Sequence, residues 1–294
     1  MQLRSVELDV TQPAEAADFL ERVWRLAPAG ERGDTIFFRG SGPHPHILSI
    51  RAASAPAVTA ITLSGSIDEV EAVHARVRNA GAPHKAVAHF DIPGEGSGFV
   101  VQGPEAQTYR FVAGASAAPP PLPTVAPDTP VQITHAVMNA IDVAACERFA
   151  VEVLGFKVSD RTRMMTFVRC NQKHHCCGYA HSEVSSLNHV AFEMQDMDAV
   201  MRGFGRMRDA GFESIWGPGR HGPGNNVFGY FIAPFGAVIE YTSEIAEVDE
   251  HYRVGGPEDW KWPPGRIDHW GLSRKDVAKA AIAERNYRFP PALS

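Results

Sequence analysis

The chain repeats itself, and that repetition limits its possible folds more than any other feature. Residues 58–63, V-T-A-I-T-L, with R-N-A-G at 78–81, correspond to L-N-H-V-A-F at 187–192 with R-D-A-G at 208–211. Residues 98–109, G-F-V-V-Q-G-P-E-A-Q-T-Y, correspond to G-Y-F-I-A-P-F-G-A-V-I-E at 229–240. The order within each copy is also shared. In the second half a strand over Gln132–Asn139 precedes an amphipathic helix led by Asp142, with Val143, Cys146, Phe149, Ala150 and Val153 on one face and Gly155 as its stop. Strand-like runs follow at Phe156–Asp160, Met164–Cys170 and His174–His181. The order then restarts with a strand at Leu187–Met194, a helix at Asp198–Ala210 closed by Gly211, and strands at Val227–Ala233 and Ala237–Tyr241. The first half reads alike: strand Leu3–Val10, helix Ala14–Arg25, strands Thr35–Arg39, His46–Arg51 and Val58–Ser64, helix Ile67–Ala80, and a closing hairpin of Gly98–Val101 and Thr108–Val112. Four βαβββ units follow from this pattern, paired into two domains. The fold class is α+β, each domain laying helices over a curved antiparallel sheet around a cavity.

The two copies are separated by a proline-rich stretch, Gly114–Pro130, whose six prolines exclude helix and central strand and read as an extended linker. The expected units are a domain at 1–113, the linker at 114–130, a second domain at 131–245 and a tail at 246–294. With 294 residues, 44% apolar and 21% charged, the chain can fill two cores. The net charge is −6, and Lys and Arg form no basic stripe, so nucleic acid is not expected as a partner. No stretch approaches 18 consecutive apolar residues and the N-terminus has no apolar leader, so no membrane span and a cytoplasmic location are expected. Four cysteines (Cys146, Cys170, Cys176, Cys177) are too few and too unevenly spaced for a disulfide framework or a closed zinc site, and read as reduced thiols.

The halves differ at three positions. His135 lies in I-T-H-A-V-M-N, His189 in L-N-H-V-A-F-E and Glu240 in A-V-I-E-Y, each within an apolar strand, whereas the first half offers residues near Val6, Ala60 and Tyr109. One such histidine is an ordinary core residue. A carboxylate in an apolar strand, however, needs a cation, a proton or several donors to offset its desolvation. Two imidazoles and one carboxylate on outer strands of the two facing units can hold a metal on one side and leave the other side open, as non-haem Fe(II) sites that activate O₂ do.

These residues resemble those of the two-domain extradiol catechol dioxygenases of the vicinal-oxygen-chelate superfamily, which also carry an N-terminal domain of this fold without metal. The hairpin Gly219–Glu240 carries the most specific part of the resemblance, through Gly219, His221, Tyr230, Ala233, Pro234, Gly236 and Glu240. It departs at Gly229, where the family has a large apolar residue and where the wall behind Tyr230 is expected to be looser. The resemblance implies His135, His189 and Glu240 as metal ligands for Fe(II), with Mn(II) suited to the same set. It implies His175, in H-H-C-C-G-Y, as the acid/base, strand alternation sending His174 to the opposite face. His221 and Tyr230 are implied to contact the substrate, and Val137 shares a strand face with His135.

The implied reaction is meta cleavage of a small aromatic diol by O₂ in aromatic compound degradation, by an enzyme that commonly assembles as a homo-oligomer. A catechol chelates an open-faced metal through adjacent oxygens, ligation acidifies its hydroxyls, and a neutral imidazole near it can move the proton. Two alternatives stand beside this: a glyoxalase-like metalloenzyme without O₂ chemistry, and a small-molecule binding protein, for which the three ligands have no use. The prolines around Pro43-His44-Pro45-His46 argue for a loop, and His84 and His181 read as surface residues. The tail is expected to pack back near the site, with Trp260, Trp262 and Trp270 as packing residues and His269 at the rim.

Overall fold

The computed structural model describes residues 1–114, 119–122 and 125–290. The linker expected at 114–130 therefore lies partly outside the described residues. The first half contains β1 (Gln2–Val10), α1 (Pro13–Arg22), β2 (Ala27–Arg32), β3 (Thr35–Arg39), β4 (Leu48–Ala52), β5 (Ala57–Gly65), α2 (Ile67–Asn79), β6 (His84–Val87), β7 (Ser97–Gln102) and β8 (Thr108–Ala113). The second contains β9 (Gln132–Ala140), α3 (Val143–Arg148), β10 (Lys157–Arg161), β11 (Met165–Arg169), β12 (Cys177–His181), β13 (Ser186–Glu193), α4 (Met197–Asp209), β14 (Ser214–Arg220), β15 (Val227–Ile232) and β16 (Val238–Ser243), and the tail adds α5 (Val277–Ala283).

Each half builds one eight-stranded sheet, ordered β2-β3-β4-β1-β5-β8-β7-β6 and β10-β11-β12-β9-β13-β16-β15-β14. Two four-stranded units thus meet at an antiparallel junction of their first strands, β1 with β5 and β9 with β13. The sheets are mixed rather than purely antiparallel, because the first strand of each unit pairs in parallel with its last: β1 with β4, β5 with β8, β9 with β12 and β13 with β16. The helix after each first strand supplies the crossover that parallel pairing requires.

Local chemistry sets the helix ends. Asp142 caps α3 by accepting from Ala145 N at 2.8 Å, as its position in the sequence indicated. Asp196 does the same for α4 through Ala199 N at 2.8 Å, so that helix starts one residue earlier than expected. The helix after Asp142 is not regular to Val153: residues Phe149–Val153 form a π-turn in which Leu154 N reaches Phe149 O at 3.0 Å, before Gly155 ends it with φ +77. The strands β2, β6 and β14 were not legible. All three lie at sheet edges, and A-P-A-G-E-R and S-I-W-G-P-G-R carry the Pro and Gly that only an edge tolerates. Gly219 and Arg220 of the hairpin thus belong to β14.

One apolar core runs through both halves. Trp24, after α1, stacks on Tyr241 of β16 with ring centroids 3.7 Å apart, and the Tyr109 and Tyr179 hydroxyls meet at 2.9 Å. The register also corrects the comparison of the halves. Ala60 opposes Glu7 as His189 opposes Val137, and Thr62 lies between Ser5 and Arg110 as Ala191 lies between His135 and Glu240. The counterparts of His135, His189 and Glu240 are therefore Ser5, Ala60 and Arg110, one residue away from Val6 and Tyr109 in two cases. The first-half cavity face is polar, not bare: buried Glu7 accepts from Ser5 Oγ at 2.7 Å and Thr62 Oγ1 at 2.9 Å, with Arg110 Nη1 at 3.5 Å. His44 and His46, expected in a loop, are buried beside this network. All four cysteines are unpaired. No helix among the described residues is long and apolar enough to cross a membrane.

Candidate active site

His135 and His189 do not sit on outer strands. They occupy β9 and β13, the two first strands paired at the centre of the second sheet, and Glu240 on β16 lies directly beside Ala191 of β13. Strand alternation sends His135, Val137 and Asn139 to the concave side, while Ala136, Met138 and Ala140 enter the core. Glu240 is fully buried, with Oε2 3.1 Å from His135 Nε2 and 3.2 Å from His189 Nε2. The three ligand atoms all lie within 4.8 Å of one another, the one group of three such residues among those described.

The hydrogen bonds around His189 fix its tautomer. The backbone carbonyl of Glu284 can only accept, and it takes Asn139 Nδ2 at 2.8 Å. Asn139 Oδ1 must then accept from Asn188 Nδ2 at 2.8 Å, which turns Asn188 Oδ1 to His189 Nδ1 at 2.7 Å. A His189 that donates from Nδ1 carries its lone pair on Nε2 when neutral, and burial pushes its pKa down, favouring the neutral ring. That nitrogen is buried, makes no hydrogen bond and faces a carboxylate oxygen 3.2 Å away. A lone pair opposed to an anion is repulsive unless a cation lies between them. Metal–ligand bonds of about 2.1 Å at right angles would separate ligand atoms by about 3.0 Å, close to what is found here. The donor set fits a divalent metal.

Burial by itself would raise the Glu240 carboxyl, but the facing His135 imidazole outweighs it and holds it below the usual carboxylate range. Asn226 steadies its other oxygen, with Nδ2 3.4 Å from Oε1 and 2.7 Å from Thr242 Oγ1. Beyond these three residues lie His175, His221 and Tyr230. His175 stands against His135 with ring centroids 4.2 Å apart, and burial keeps it neutral, its pKa well below the ordinary value. His174 turns away to Asp160 and Tyr252. The reason is not strand alternation, since both histidines precede β12, and their Nδ1 atoms are 3.0 Å apart.

His221 follows β14, stacks on Phe228 at 4.0 Å and meets the Tyr230 hydroxyl at 2.9 Å. Burial pushes His221 down to about 3, and burial with the charge of Glu240 keeps the Tyr230 phenol protonated. The wall behind Tyr230 is closed rather than loose. A Cβ at Gly229 would fall inside van der Waals contact of Phe204 Cε2 and Cζ, so the α4 ring fills the space of the missing side chain.

A cavity of about 1260 Å³ opens over these groups, and His135, Val137, His175, His189, His221 and Tyr230 all line it. Trp260 and Trp262 of the tail line it too, as does the exposed His181, whereas Trp270 packs against the core and His269 lies against Trp262. Sequence reasoning missed Asp160, Asn139, Asn188 and Asn226. The short polar side chains flanking the proposed ligands, as in L-N-H, were the available signal. A second cavity of about 610 Å³, lined by Arg4, His44, Glu69 and Asn171 among others, lies apart from His135, His189 and Glu240.

Residues 132–241 match the Glyoxalase/Bleomycin resistance protein/Dioxygenase superfamily. The chain is 28% identical over 139 residues to metapyrocatechase 2 of Cupriavidus necator, covering 46% of this chain and 41% of the relative. It is 27% identical over 139 residues to 2,2',3-trihydroxybiphenyl dioxygenase of Sphingomonas paucimobilis, covering 43% and 47%. The match thus spans less than half the length of either relative. Among solved structures, a Mn(II)-bound glyoxalase from Novosphingobium aromaticivorans is 33% identical, with a TM-score of 0.85 over 95% of this chain and 93% of the neighbour. Homoprotocatechuate 2,3-dioxygenase from Arthrobacter globiformis, 23% identical with a TM-score of 0.81 over 92% and 88%, shares the fold.

Proposed function

We propose that the chain, which belongs to the Glyoxalase/Bleomycin resistance protein/Dioxygenase superfamily, is an extradiol dioxygenase that opens the ring of a catechol beside its diol. Fe(II) is the proposed metal and His135, His189 and Glu240 its ligands, with Mn(II) as the alternative ion for the same set. The observation that carries this reading is the lone pair of His189 Nε2 opposed to a buried carboxylate, beneath a cavity that also presents a neutral His175 and the His221–Tyr230 pair. The metal, when bound, supplies a redox-active Lewis acid with positions left open by three protein ligands.

The remaining work falls to the chain's own groups. Val137, Trp260 and Trp262 shape the cavity and exclude water from a planar ring. The neutral His175 accepts a proton from a diol hydroxyl and returns it when the ring opens. The protonated Tyr230 and its partner His221 offer hydrogen bonds to substrate oxygens as negative charge develops on them. Both atoms of O₂ enter the product: the ring C–C bond adjacent to the diol breaks, leaving a carboxylate at one new end and a carbonyl at the other. A second reading, a metal-dependent isomerase without O₂ chemistry, is favoured by the 33% identity to the Mn(II)-bound glyoxalase over nearly the whole chain.

Anaerobic reconstitution with Fe(II), addition of a catechol and admission of air separates the two. O₂ uptake with a yellow ring-opened product is expected. His189→Ala should lose metal, while His175→Ala should keep metal and lose turnover. No uptake across monocyclic and bicyclic catechols would sink the dioxygenase reading.

A further inference from the structure

His175 does not stand alone. His174 Nε2 lies 2.7 Å from Asp160 Oδ2, and His174 Nδ1 lies 3.0 Å from His175 Nδ1, so the three side chains form one continuous line. Asp160 and His174 are fully buried and His175 is nearly so. Asp160 is well supplied with donors: its Oδ2 also accepts from the Tyr252 hydroxyl at 3.1 Å and its Oδ1 from the Gly255 backbone N–H at 2.7 Å. The tail is shaped for this contact, because a side chain at Gly255 would meet Asp160 Oδ1.

We propose that Asp160 is a positioning residue that, through His174, holds His175 in the tautomer whose Nε2 is unprotonated. A carboxylate only accepts, so His174 Nε2 carries the proton that it donates to Asp160. A His174 ring that carries this one proton has its lone pair on Nδ1, and that lone pair can only accept from His175 Nδ1–H. His175 is left with the lone pair on Nε2, which has no hydrogen-bond partner among the described residues, in a side chain that lines the cavity. The opposite tautomer would present an N–H where a base is needed. The role rests on the reading of His175 as the acid/base, but the tautomers themselves do not.

Asp160→Asn tests the assignment sharply. The fixed Gly255 N–H requires an acceptor, so the amide oxygen must stay there and the amide N–H₂ must face His174 Nε2. His174 would shift its proton to Nδ1, donate to His175 Nδ1, and force the proton of His175 onto Nε2. Histidine-selective ¹⁵N NMR of the metal-free parent should show His174 as the Nε2–H and His175 as the Nδ1–H tautomer, and both should be exchanged in Asp160→Asn. With Fe(II) loaded, the variant should retain its metal, keep KM for the diol within about threefold, and lose kcat by about 100-fold or more. Tyr252→Phe removes only the other donor to Oδ2 and should leave both tautomers as in the parent. An Nε2–H tautomer of His175 in the unaltered protein overturns the inference with no variant needed. So do unchanged tautomers in a folded Asp160→Asn, or a kcat within about threefold of the parent. If the parent shows the expected tautomers but consumes no O₂ with any catechol, the proposed function fails and the arrangement of Asp160, His174 and His175 stands.

Discussion

Placing alanine at Gly229 should destabilise the protein even though alanine suits a strand better than glycine. The new Cβ would overlap Phe204 Cε2 and Cζ, and normal carbon contacts of about 3.5–4.0 Å require the ring to retreat by roughly an ångström or more. Neither backbone can give way: Gly229 is paired with Tyr241 within β15–β16, and Phe204 sits on a helix held against the sheet. Phe204 is half-buried and edge-on to Phe231 at 5.0 Å, so displacing its ring forfeits about 1 kcal/mol of burial. Strain in a packed layer adds about 1–3 kcal/mol. Replacing a strand glycine returns about 0.5–1 kcal/mol. The net expectation is a loss of about 1–3.5 kcal/mol. Phe204→Ala alone should also destabilise, but the double variant has no clash and keeps the strand gain. Urea titration of the four proteins therefore should give a coupling of at least about 1.5 kcal/mol in favour of the double variant. Coupling within about 0.5 kcal/mol of zero would refute the claim that Phe204 occupies the place of a side chain at 229.

Three further outcomes follow from the site and its counterpart. Asn188→Ala removes the acceptor that sets the His189 tautomer and should weaken metal binding about 10–100-fold, read by chelator competition; unchanged affinity would contradict the hydrogen-bond chain from Glu284. Tyr230→Phe should lower kcat by about 100-fold with little change in KM, and a raised KM with kcat unchanged would mean that the hydroxyl binds ground-state substrate instead. Glu7→Ala leaves Arg110 without its buried counter-charge and should cost about 3–5 kcal/mol at pH 7. Burial opposes ionisation of Glu7, yet Arg110 and His46 hold its folded pKa below the ordinary value. Its stabilisation is therefore present above the unfolded value of about 4.3 and is lost as pH falls through the folded one. The gap between parent and variant in urea should narrow on acidification, and a gap that widens would reverse the sign of the argument.

The sequence determined what depends on local spacing. The duplicated strand and helix patterns gave the two halves, Asp142 and Gly155 gave the ends of a helical segment, and the strand period put His135 and Val137 on one face. The apolar neighbours of Glu240 were enough to mark a carboxylate that needs a cation. What lay beyond it were relations between segments distant in the chain. The edge strand Ser214–Arg220 carries Gly and Pro in place of a clear alternation, which an edge tolerates because one side of its backbone has no ladder to complete. Phe204 fills the gap at Gly229 across 25 residues of chain, and the tail brings Gly255 to Asp160 and the Glu284 carbonyl to Asn139 across far more. A tautomer is set by which atom faces a donor or an acceptor, and only the packed structure decides that facing. The sequence supplied the titratable groups; the tertiary structure decided which nitrogen of each histidine carries the proton.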